Sequence, residues 1–261
     1  MLISMSNIDR LPTKVAIVTG GSSGIGQAIA IALAREGYGV TIVGTSHQRI
    51  DDTLSQMAQF TPLEMLLGLR LDVRQAADME GMARLTLAKF GRLDLLVTSA
   101  GLGKKSGSAR VVPHPTSTLP LEDWQEVIDV NLTGVFLSNR AVLSAMLAQG
   151  SGHIVNICSS TTLHGLRGQP YAPAYCASKF GVVGLTESLE AEVATAGIRV
   201  QAIFPGPVLT PLVAQTALLK LFDNRAISPD HFARSVVALV QQPPDVTVIH
   251  PHLLPFLGDR S

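Results

Sequence analysis

Short, uninterrupted apolar segments that alternate with longer helical periods are the feature that most constrains the fold of this chain. Val15–Thr19 is one such segment, and it precedes Ile25–Arg35, in which apolar residues recur at the spacing of a helix. An apolar run without polar alternation is typical of a strand that is buried on both faces of a parallel sheet. The pattern therefore predicts an α/β fold, in which a doubly wound parallel sheet is flanked by helices.

The same alternation repeats along the chain, and no segment is typical of an interdomain linker. The further predicted strands are Val40–Val43, Leu67–Leu71, Leu93–Val97, His153–Cys158, Val200–Phe204 and Val246–Ile249. The further predicted helices are Ala76–Phe90, Trp124–Leu147, Ala174–Ala194 and Pro229–Gln241. We therefore expect a single domain over residues 1–261. Ligands of such sheets bind beyond the carboxyl ends of the strands, so the segments 101–120, 161–174 and 208–224 are expected to form substrate loops.

Composition and charge disfavour several classes of protein. Hydrophobic residues make up 46% and charged residues 15% of the chain, which excludes a disordered protein. Twenty basic and twenty acidic residues give a formal charge of zero, so we expect no basic face for nucleic acid. No run of about 18 apolar residues and no signal-peptide pattern is present, which predicts a cytoplasmic protein without a membrane span. Cys158 and Cys176 are expected to be buried, reduced thiols, and no metal site is predicted.

A glycine-rich turn, TGGSSGIG at residues 19–26, joins the first predicted strand to the first predicted helix. Glycine allows a sharp turn and a close approach of phosphate to the backbone, and the N-terminus of the helix offers N–H groups to an anion. In this strand–turn–helix position, the turn predicts a site for the pyrophosphate of a dinucleotide. The residues expected to bind it are Gly20, Ser22, Ser23, Gly24, Ile25 and Gly26.

The same turn also matches a motif of a different reaction class. GGSSG at residues 20–24 fits the G-x-S-x-G nucleophile elbow of α/β-hydrolases, which likewise lies between a strand and a helix. Ser22 would then be the nucleophile, and it would need an acidic residue and a histidine from further along the chain. A serine hydrolase therefore remains an alternative at this point.

The end of the second predicted strand carries the signal for the choice of cofactor. In dinucleotide-binding folds an acidic residue at this place holds the ribose hydroxyls and repels a 2′-phosphate. Here the segment 43–49 reads VGTSHQR and contains no carboxylate. Thr45 and Ser46 can form hydrogen bonds to the ribose, and His47 or Arg49 could add positive charge. The segment therefore favours NADP(H) over NAD(H).

Tyr175 and Lys179 stand four residues apart in a predicted helix, which places both side chains on one face. A nearby cation lowers the pKa of a phenol, so Lys179 is expected to bring Tyr175 closer to the range of efficient acid–base catalysis. Ser159 follows the fifth predicted strand and could hold a substrate carbonyl by a hydrogen bond. Together these three residues predict proton transfer to or from a carbonyl or alcohol oxygen.

At this point the motifs taken together resemble the short-chain dehydrogenase/reductase family, over residues 13–249. The matching segments are TGGSSGIG at 19–26, LDV at 71–73, SAG at 99–101, DVNLTG at 129–134, NICS at 156–159, YCASK at 175–179 and PG at 205–206. The resemblance implies one doubly wound, Rossmann-type domain with a seven-stranded parallel sheet. It also implies NAD(P)-linked reduction of a carbonyl or oxidation of an alcohol. The long helices Trp124–Leu147 and Tyr175–Ala194 resemble those of the family's subunit interface, so a homodimer or homotetramer is expected by analogy.

The resemblance also implies a role for individual residues. Tyr175 would be the proton donor or acceptor, and Lys179 would lower its pKa and bind the nicotinamide ribose. Ser159 would orient the carbonyl oxygen, and Asn131 would hold a water of the proton relay. The remaining residues expected at the cofactor are Thr45, Ser46, Asp72, Val73, Ala100, Gly101, Pro205, Gly206, Val208 and Thr210.

The chain departs from the family pattern in three places. Thr98 and Ser99 replace a pair of asparagines. The segment 159–175 is a few residues longer than usual, which leaves Ser160 as an alternative to Ser159. The C-terminus lacks a glycine-rich ending.

A dinucleotide sensor without turnover is a second alternative, although the presence of the whole Ser–Tyr–Lys set argues against it. The loop composition favours a neutral or partly apolar carbonyl substrate and leaves an acidic or carrier-linked one, such as a 3-oxoacyl thioester, open.

Overall fold

A seven-stranded parallel sheet organises the protein, with the strand order β3-β2-β1-β4-β5-β6-β7. The computed structural model describes residues 14–103, 115–160, 170–211, 226–243 and 245–256. The strands are β1 Val15–Thr19, β2 Gly39–Gly44, β3 Leu66–Arg70, β4 Leu95–Thr98, β5 Gly152–Ile157, β6 Ile198–Pro205 and β7 His252–Leu253. The α-helices are α1 Gly24–Arg35, α2 His47–Met57, α3 Ala76–Phe90, α4 Leu121–Ile128, α5 Gly134–Gln149, α6 Pro173–Val193 and α7 Pro229–Val240. The predicted fold class is confirmed.

The strand order reverses between β1 and β4, which lie side by side in the sheet. From β1 the chain builds outwards through β2 to β3, and it then returns to place β4 on the other side of β1. Thr19 and Thr98 are paired at the carboxyl ends of these two strands. The crevice beyond such a reversal is where doubly wound sheets bind their ligands.

Neighbouring residues of the central strands point to opposite faces of the sheet, and helices cover both faces. On one face, Ala16 and Val18 belong to a buried cluster that includes Ile29 and Leu33 of α1 and Phe232 of α7. On the other face, Ile17 and Leu96 belong to a cluster with Met79 and Met82 of α3 and Met146 of α5. Burial on both faces explains why the strands read as continuous apolar segments.

Two elements begin and end at the predicted residues, and the prediction of one strand was wrong. β1 and α3 have the predicted bounds, whereas the last strand is β7 rather than Val246–Ile249. The β-branched residues of the latter segment favour a strand, but Ile249 is 75% exposed and lies on no buried face. The register of β7 is instead set by backbone hydrogen bonds from Phe204 to Pro251 and from Gly206 to Leu253, and His252 stacks on the ring of Phe204.

Sequence periodicity missed a helix and a change of helix type. α2 was not predicted, because its mostly polar sequence shows only three buried side chains, Ile50, Thr53 and Met57. The predicted helix 124–147 begins earlier, at Leu121, and contains a π-helical turn at Asp129–Thr133 between α4 and α5. The N–H of Gly134 donates to the carbonyl of Asp129, five residues back. Such turns are frequent at functional sites, and this one contains Asn131.

Within the described residues, Leu121–Gln149 is the one helix long and apolar enough to cross a membrane by length and composition. Its most apolar window has a mean hydropathy of 1.2, and 44% of that window is buried. Val142 and Met146 have no exposed surface and pack in the cluster beneath the sheet. The helix is therefore packed in the manner of a core helix.

His153 is a buried, neutral histidine near the beginning of β5. It pairs with Leu95 and Arg199 in the sheet, is 5% exposed, and has no described hydrogen-bond partner at either ring nitrogen. Burial first, and the charges of Arg199 and Lys14 second, lower the pKa of His153 to about 3. Because an unfolded histidine has a pKa near ~6.5, the unfolded chain binds the extra proton as the pH falls from that value towards the folded pKa.

We predict that His153 makes the protein less stable in mild acid. Above the unfolded pKa, titration of this ring costs no stability. At pH 5 the proton bound by the unfolded chain lowers the free energy of unfolding by about 2 kcal/mol, or the Tm by about 4 °C. The measurement is the free energy of unfolding at pH 7.5 and pH 5 for the wild type and for His153→Leu, which cannot titrate. The wild type should lose more stability than the variant, and an equal loss in both proteins would contradict the prediction.

Candidate active site

The glycine-rich turn between β1 and α1 is closely packed against its surroundings. Gly20 has a φ of +68°, and a Cβ at this residue would lie 2.7 Å from the backbone nitrogen of Ala100. A Cβ at Gly26 would lie 2.4 Å from the carbonyl oxygen of Gly20. Both positions therefore require glycine, and the turn lies directly beside the end of β4.

The N-terminus of α1 is well suited to an anion. Ser23 is the N-cap, but its side chain makes no capping hydrogen bond, and the first turn contains no acidic residue. The N–H groups of Gly24, Ile25 and Gly26 have no partner within the helix, as in every first turn. This cradle of backbone donors fits the pyrophosphate of a dinucleotide.

Ser22 does not have the environment of a hydrolase nucleophile. It is 6% exposed, and a Cβ on Gly44 would collide with its Oγ, so the hydroxyl is packed against the end of β2. No described histidine makes a hydrogen bond to this hydroxyl. A nucleophile elbow instead presents its serine to substrate. The structure therefore does not favour the hydrolase alternative.

The unusual Thr98–Ser99 pair at the end of β4 retains buried hydrogen bonding. The hydroxyl of Thr98 donates to Oδ1 of Asn156 at 2.7 Å, and Nδ2 of Asn156 donates to the hydroxyl of Thr186 at 3.0 Å. The N–H of Ser99 donates to the carbonyl of Thr19 at 3.1 Å. The end of β4 thus keeps hydrogen bonds to β1 and β5 despite the replacement of the family's two asparagines, and Asn156 of β5 extends the network to α6.

Asn131 joins the loop after β4 to helix α6. Its Nδ2 donates to the carbonyl of Leu102 at 2.8 Å and to Oγ of Ser178 at 3.2 Å, and its Oδ1 accepts from the N–H of Leu102 at 2.7 Å. The side chain has no exposed surface, and both amide hydrogens are used. A water held by Asn131 would therefore have to donate to an oxygen of this residue.

The ammonium group of Lys179 lies between β5 and the aromatic ring of Tyr175. Its Nζ donates to the carbonyl of Ile157 at 2.8 Å and lies 5.9 Å from the centre of the Tyr175 ring. A Cβ at Gly101 would lie 4.0 Å from this nitrogen, so the loop after β4 also lies close to it. Burial lowers the pKa of Lys179, and Cys158 acts in the opposite direction.

Tyr175 and Ser159 are in contact through their hydroxyl groups. Burial raises the pKa of Tyr175 to about 12, and the hydrogen bond with Ser159 acts against this rise. The expected lowering of this pKa by Lys179 is not seen, because desolvation of the phenol dominates and the ammonium donates to Ile157 instead. Of Ser159 and Ser160, Ser159 is the serine for which the described residues give a hydrogen bond with the phenol.

The predicted adenine contacts lie at the end of β3. Arg74 forms an ion pair with the carboxylate of Asp72, and hydrogen bonds from this guanidinium hold the pKa of Asp72 below its usual range. The N–H of Asp72 donates to Oδ2 of Asp78 at 2.8 Å. Val73 is 8% exposed and packs so closely on Gly134 that a Cβ there would lie 2.7 Å from its Cγ2.

The predicted nicotinamide contacts follow β6. The N–H of Gly206 donates to the carbonyl of Leu253 at 2.9 Å, and Val208 forms a bridge with Ile227. Thr210 is buried, and a Cβ on Gly24 would lie 3.5 Å from its Cβ. The segment after β6 therefore lies against the glycine-rich turn, as one cofactor spanning both would require.

Comparison with known proteins shows the family of this chain. Residues 14–218 match the sequence profile of the family described as short chain dehydrogenase. The chain belongs to this family. As a short-chain dehydrogenase, it is an NAD(P)-dependent oxidoreductase that interconverts a carbonyl and an alcohol by hydride transfer.

Similar proteins cover most of this short-chain dehydrogenase. Levodione reductase from Leifsonia aquatica is 35% identical over 213 residues, which are 82% of this chain and 76% of that protein. D-threitol dehydrogenase from Mycolicibacterium smegmatis is 38% identical over 238 residues, or 88% of this chain and 86% of that protein. A structure of 3-ketoacyl-(acyl-carrier-protein) reductase from Brucella melitensis complexed with NADH has a TM-score of 0.82 and 28% identity, covering 93% of this chain and 97% of that one.

The structure of this short-chain dehydrogenase brings the predicted residues to one edge of the sheet, and it adds others. Residues 104–114, 161–169 and 212–224, which are parts of the three predicted substrate loops, lie outside the described residues. Prediction assigned no role to Arg70 and Leu102, nor to three residues within the matching motifs, Thr19, Asn156 and Ser178. These act through contacts between distant segments, for which one sequence carries no local signal.

Proposed function

We propose that Tyr175 is the acid–base residue of this oxidoreductase, that Ser159 holds the reacting oxygen and that Lys179 supports the phenol. The hydrogen bond between Tyr175 and Ser159, with the Lys179 ammonium 5.9 Å from the ring, carries the proposal. Two hydroxyls in contact can both reach a single carbonyl oxygen. Lys179, held by the carbonyl of Ile157 beside this ring, would bind the nicotinamide ribose and keep the ring in place.

The chemistry follows from these positions. In reduction, the carbonyl carbon receives a hydride while the phenol of Tyr175 transfers its proton to the carbonyl oxygen. Ser159 donates a hydrogen bond to the same oxygen and stabilises the negative charge that develops on it. The nicotinamide, when bound, supplies or accepts the hydride. In oxidation, the phenolate of Tyr175 removes the hydroxyl proton.

We expect the two directions of the reaction to depend differently on pH. Because burial raises the pKa of Tyr175 to about 12, the phenol keeps its proton at neutral pH and is ready to act as a donor. Alcohol oxidation needs the phenolate, so its kcat/KM should rise with pH, by up to about tenfold per unit, while carbonyl reduction shows no such rise. The measurement is kcat/KM in both directions over roughly pH 6–9. An oxidation rate that is constant over this range would contradict the prediction.

The cofactor we propose is NADP(H) in preference to NAD(H). The segment 43–49 carries no carboxylate to repel a 2′-phosphate, and Thr45 and Ser46 would bind the adenosine ribose. The Gly20–Gly26 turn, Asp72, Val73, Ala100 and Gly101 would complete the adenosine and pyrophosphate sites. Pro205, Gly206, Val208 and Thr210 would hold the nicotinamide. The dissociation constants of NADPH and NADH test this preference, which tighter binding of NADH would overturn.

The substrate we propose is a small neutral or partly apolar carbonyl compound or its alcohol, bound by the loops 101–120, 161–174 and 208–224. The relatives are named for levodione, D-threitol and 3-oxoacyl-[acyl-carrier-protein], which differ widely in size and polarity. The test is a screen of NADPH oxidation with ketones, aldehydes, ketoacids, sugars and oxoacyl thioesters. Turnover confined to the ketoacids or to the oxoacyl thioesters would overturn this choice of substrate.

We also propose that the whole chain, residues 1–261, forms one dinucleotide-binding domain that assembles into a cytoplasmic homodimer or homotetramer. The helical segment Leu121–Gln149 carries the exposed apolar residues Leu121, Phe136 and Leu147, which a second subunit could cover. Sedimentation equilibrium of the purified protein measures the number of subunits, and a monomer at micromolar concentration would overturn this part of the proposal.

A further inference from the structure

A guanidinium group from β3 lies at the end of β2, where the adenosine ribose is expected. The parallel register pairs Gly44 with Arg70, the last residue of β3. Nε of Arg70 donates to the carbonyl oxygen of Thr45 at 3.2 Å. Thr45 is 25 residues away in sequence, so the sheet register, rather than the local motif, brings this cation to the ribose site.

The terminal nitrogens of Arg70 are available to a ligand. The side chain is exposed, and it forms no ion pair with any carboxylate of the described residues. Arg74, the other arginine after β3, is in contrast bound to the carboxylate of Asp72 through several hydrogen bonds. Arg70 is therefore held in place by one nitrogen, while two others can still donate.

The surroundings of Arg70 favour an anion. Helix α2 begins directly after the Thr45–Ser46 turn, and its first turn contains no acidic residue but does contain Arg49. Ser46 is its N-cap and accepts from the N–H of Arg49. The first carboxylates of α2, Asp51 and Asp52, come later, and Asp52 accepts a hydrogen bond from Gln48. Positive charge thus gathers at the end of β2, and the carboxylate that follows β3 among the described residues, Asp72, is already paired with Arg74.

We propose that Arg70 is the specificity-determining residue that binds the 2′-phosphate of NADP(H). A guanidinium that is already oriented by one hydrogen bond can offer its remaining N–H groups to phosphate oxygens in a forked arrangement. A 2′-hydroxyl, as in NAD(H), carries no charge to match it. The inference rests on the proposed function of this edge of the sheet as a cofactor site, and it assigns the preference to one residue outside the 43–49 segment.

The test measures binding of two fragments that differ only in the 2′-phosphate, 2′,5′-ADP and 5′-AMP, by titration calorimetry. Arg70→Gln retains an amide donor but loses the charge, and we expect it to bind 2′,5′-ADP about 10- to 100-fold more weakly and 5′-AMP within about twofold of wild type. Arg70→Lys keeps the charge without the forked geometry and should give an intermediate loss. Arg84→Gln, an exposed arginine of α3, controls for net charge and should change neither affinity.

The outcomes separate this inference from the cofactor preference itself. If the wild type binds 2′,5′-ADP no more tightly than 5′-AMP, both the NADP(H) preference and the role of Arg70 are overturned. If the wild type discriminates but Arg70→Gln discriminates equally well, only the role of Arg70 fails. Equal weakening of both fragments by Arg70→Gln would also overturn it, because Arg70 would then only hold the Thr45 turn. A loss confined to Arg49→Gln would assign the phosphate to that arginine instead.

Discussion

Replacement of Tyr175 by phenylalanine should lower kcat by about 10²- to 10⁴-fold, which is the usual contribution of a positioned acid–base group. The variant lacks the hydroxyl that contacts Ser159 and would transfer the proton, while the aromatic ring keeps its packing near Lys179. Steady-state rates of NADPH oxidation with the best substrate from the screen give the measurement. Ser159→Ala should lower kcat as well, but by less, because it removes a hydrogen-bond donor and leaves the proton source in place.

The matched control for this substitution is Tyr38→Phe. Tyr38 is a buried tyrosine that follows α1 and precedes β2, at the opposite edge of the sheet from Tyr175. It should retain wild-type turnover. Tyr175→Phe should also bind NADPH with an affinity close to wild type and should have the same circular dichroism spectrum, which separates loss of chemistry from loss of fold. Turnover of the folded Tyr175→Phe protein within a few-fold of wild type would show that the proton passes through another group.

Substitution of Gly20 by alanine should weaken the binding of NADPH by about 100-fold or more, which corresponds to about 3 kcal/mol. The new Cβ would lie 2.7 Å from the backbone nitrogen of Ala100, at a residue whose φ is +68°. Since the obstacle is backbone rather than a flexible side chain, the turn itself must move away from β4. The N–H groups at the N-terminus of α1 would then no longer point at the same place. Fluorescence titration with NADPH measures the effect.

Gly37→Ala is the control that separates the effect of backbone strain from the effect of the contact between the new Cβ at residue 20 and Ala100. Gly37 also has a positive φ, +81°, but a Cβ there would have no neighbour within 4 Å. Both variants bear the cost of an alanine in the left-handed region, about 1–2 kcal/mol. Only Gly20→Ala should lose cofactor affinity. If the two variants bind NADPH equally well, the close packing of the turn against Ala100 has no part in cofactor binding.

The fold could be predicted well from the sequence wherever burial is two-sided. The central strand β1 is apolar at nearly every position. Helix α3 is followed by Gly91, which has the left-handed conformation typical of the residue after a helix. Elements at the edge of the sheet were harder to predict. β7 has only two residues, and its place depends on backbone hydrogen bonds to Phe204 and Gly206 rather than on a pattern of its own.

The site was predictable where its residues are close together in the chain. The glycine-rich turn and the Tyr175–Lys179 pair each lie within one short segment, so their geometry follows from a turn or from helical spacing. Arg70 and Leu102 act on segments that are 25 and 29 residues away, and register or helix packing brings them there. The shift in the pKa of Tyr175 could not be predicted either, because whether this pKa rises or falls depends on how deeply the folded chain buries the phenol.

The pairing of Asn131 with Leu102 has a consequence for protein engineering. The side-chain amide holds both backbone polar groups of Leu102, as a neighbouring strand would, so the chain leaves the sheet from an anchored point. We therefore expect exchanges after this anchor to leave Gly101 in its place near the Lys179 ammonium. Libraries directed at new ketones should vary the loop from residue 104 onwards and keep Asn131 and Leu102 unchanged.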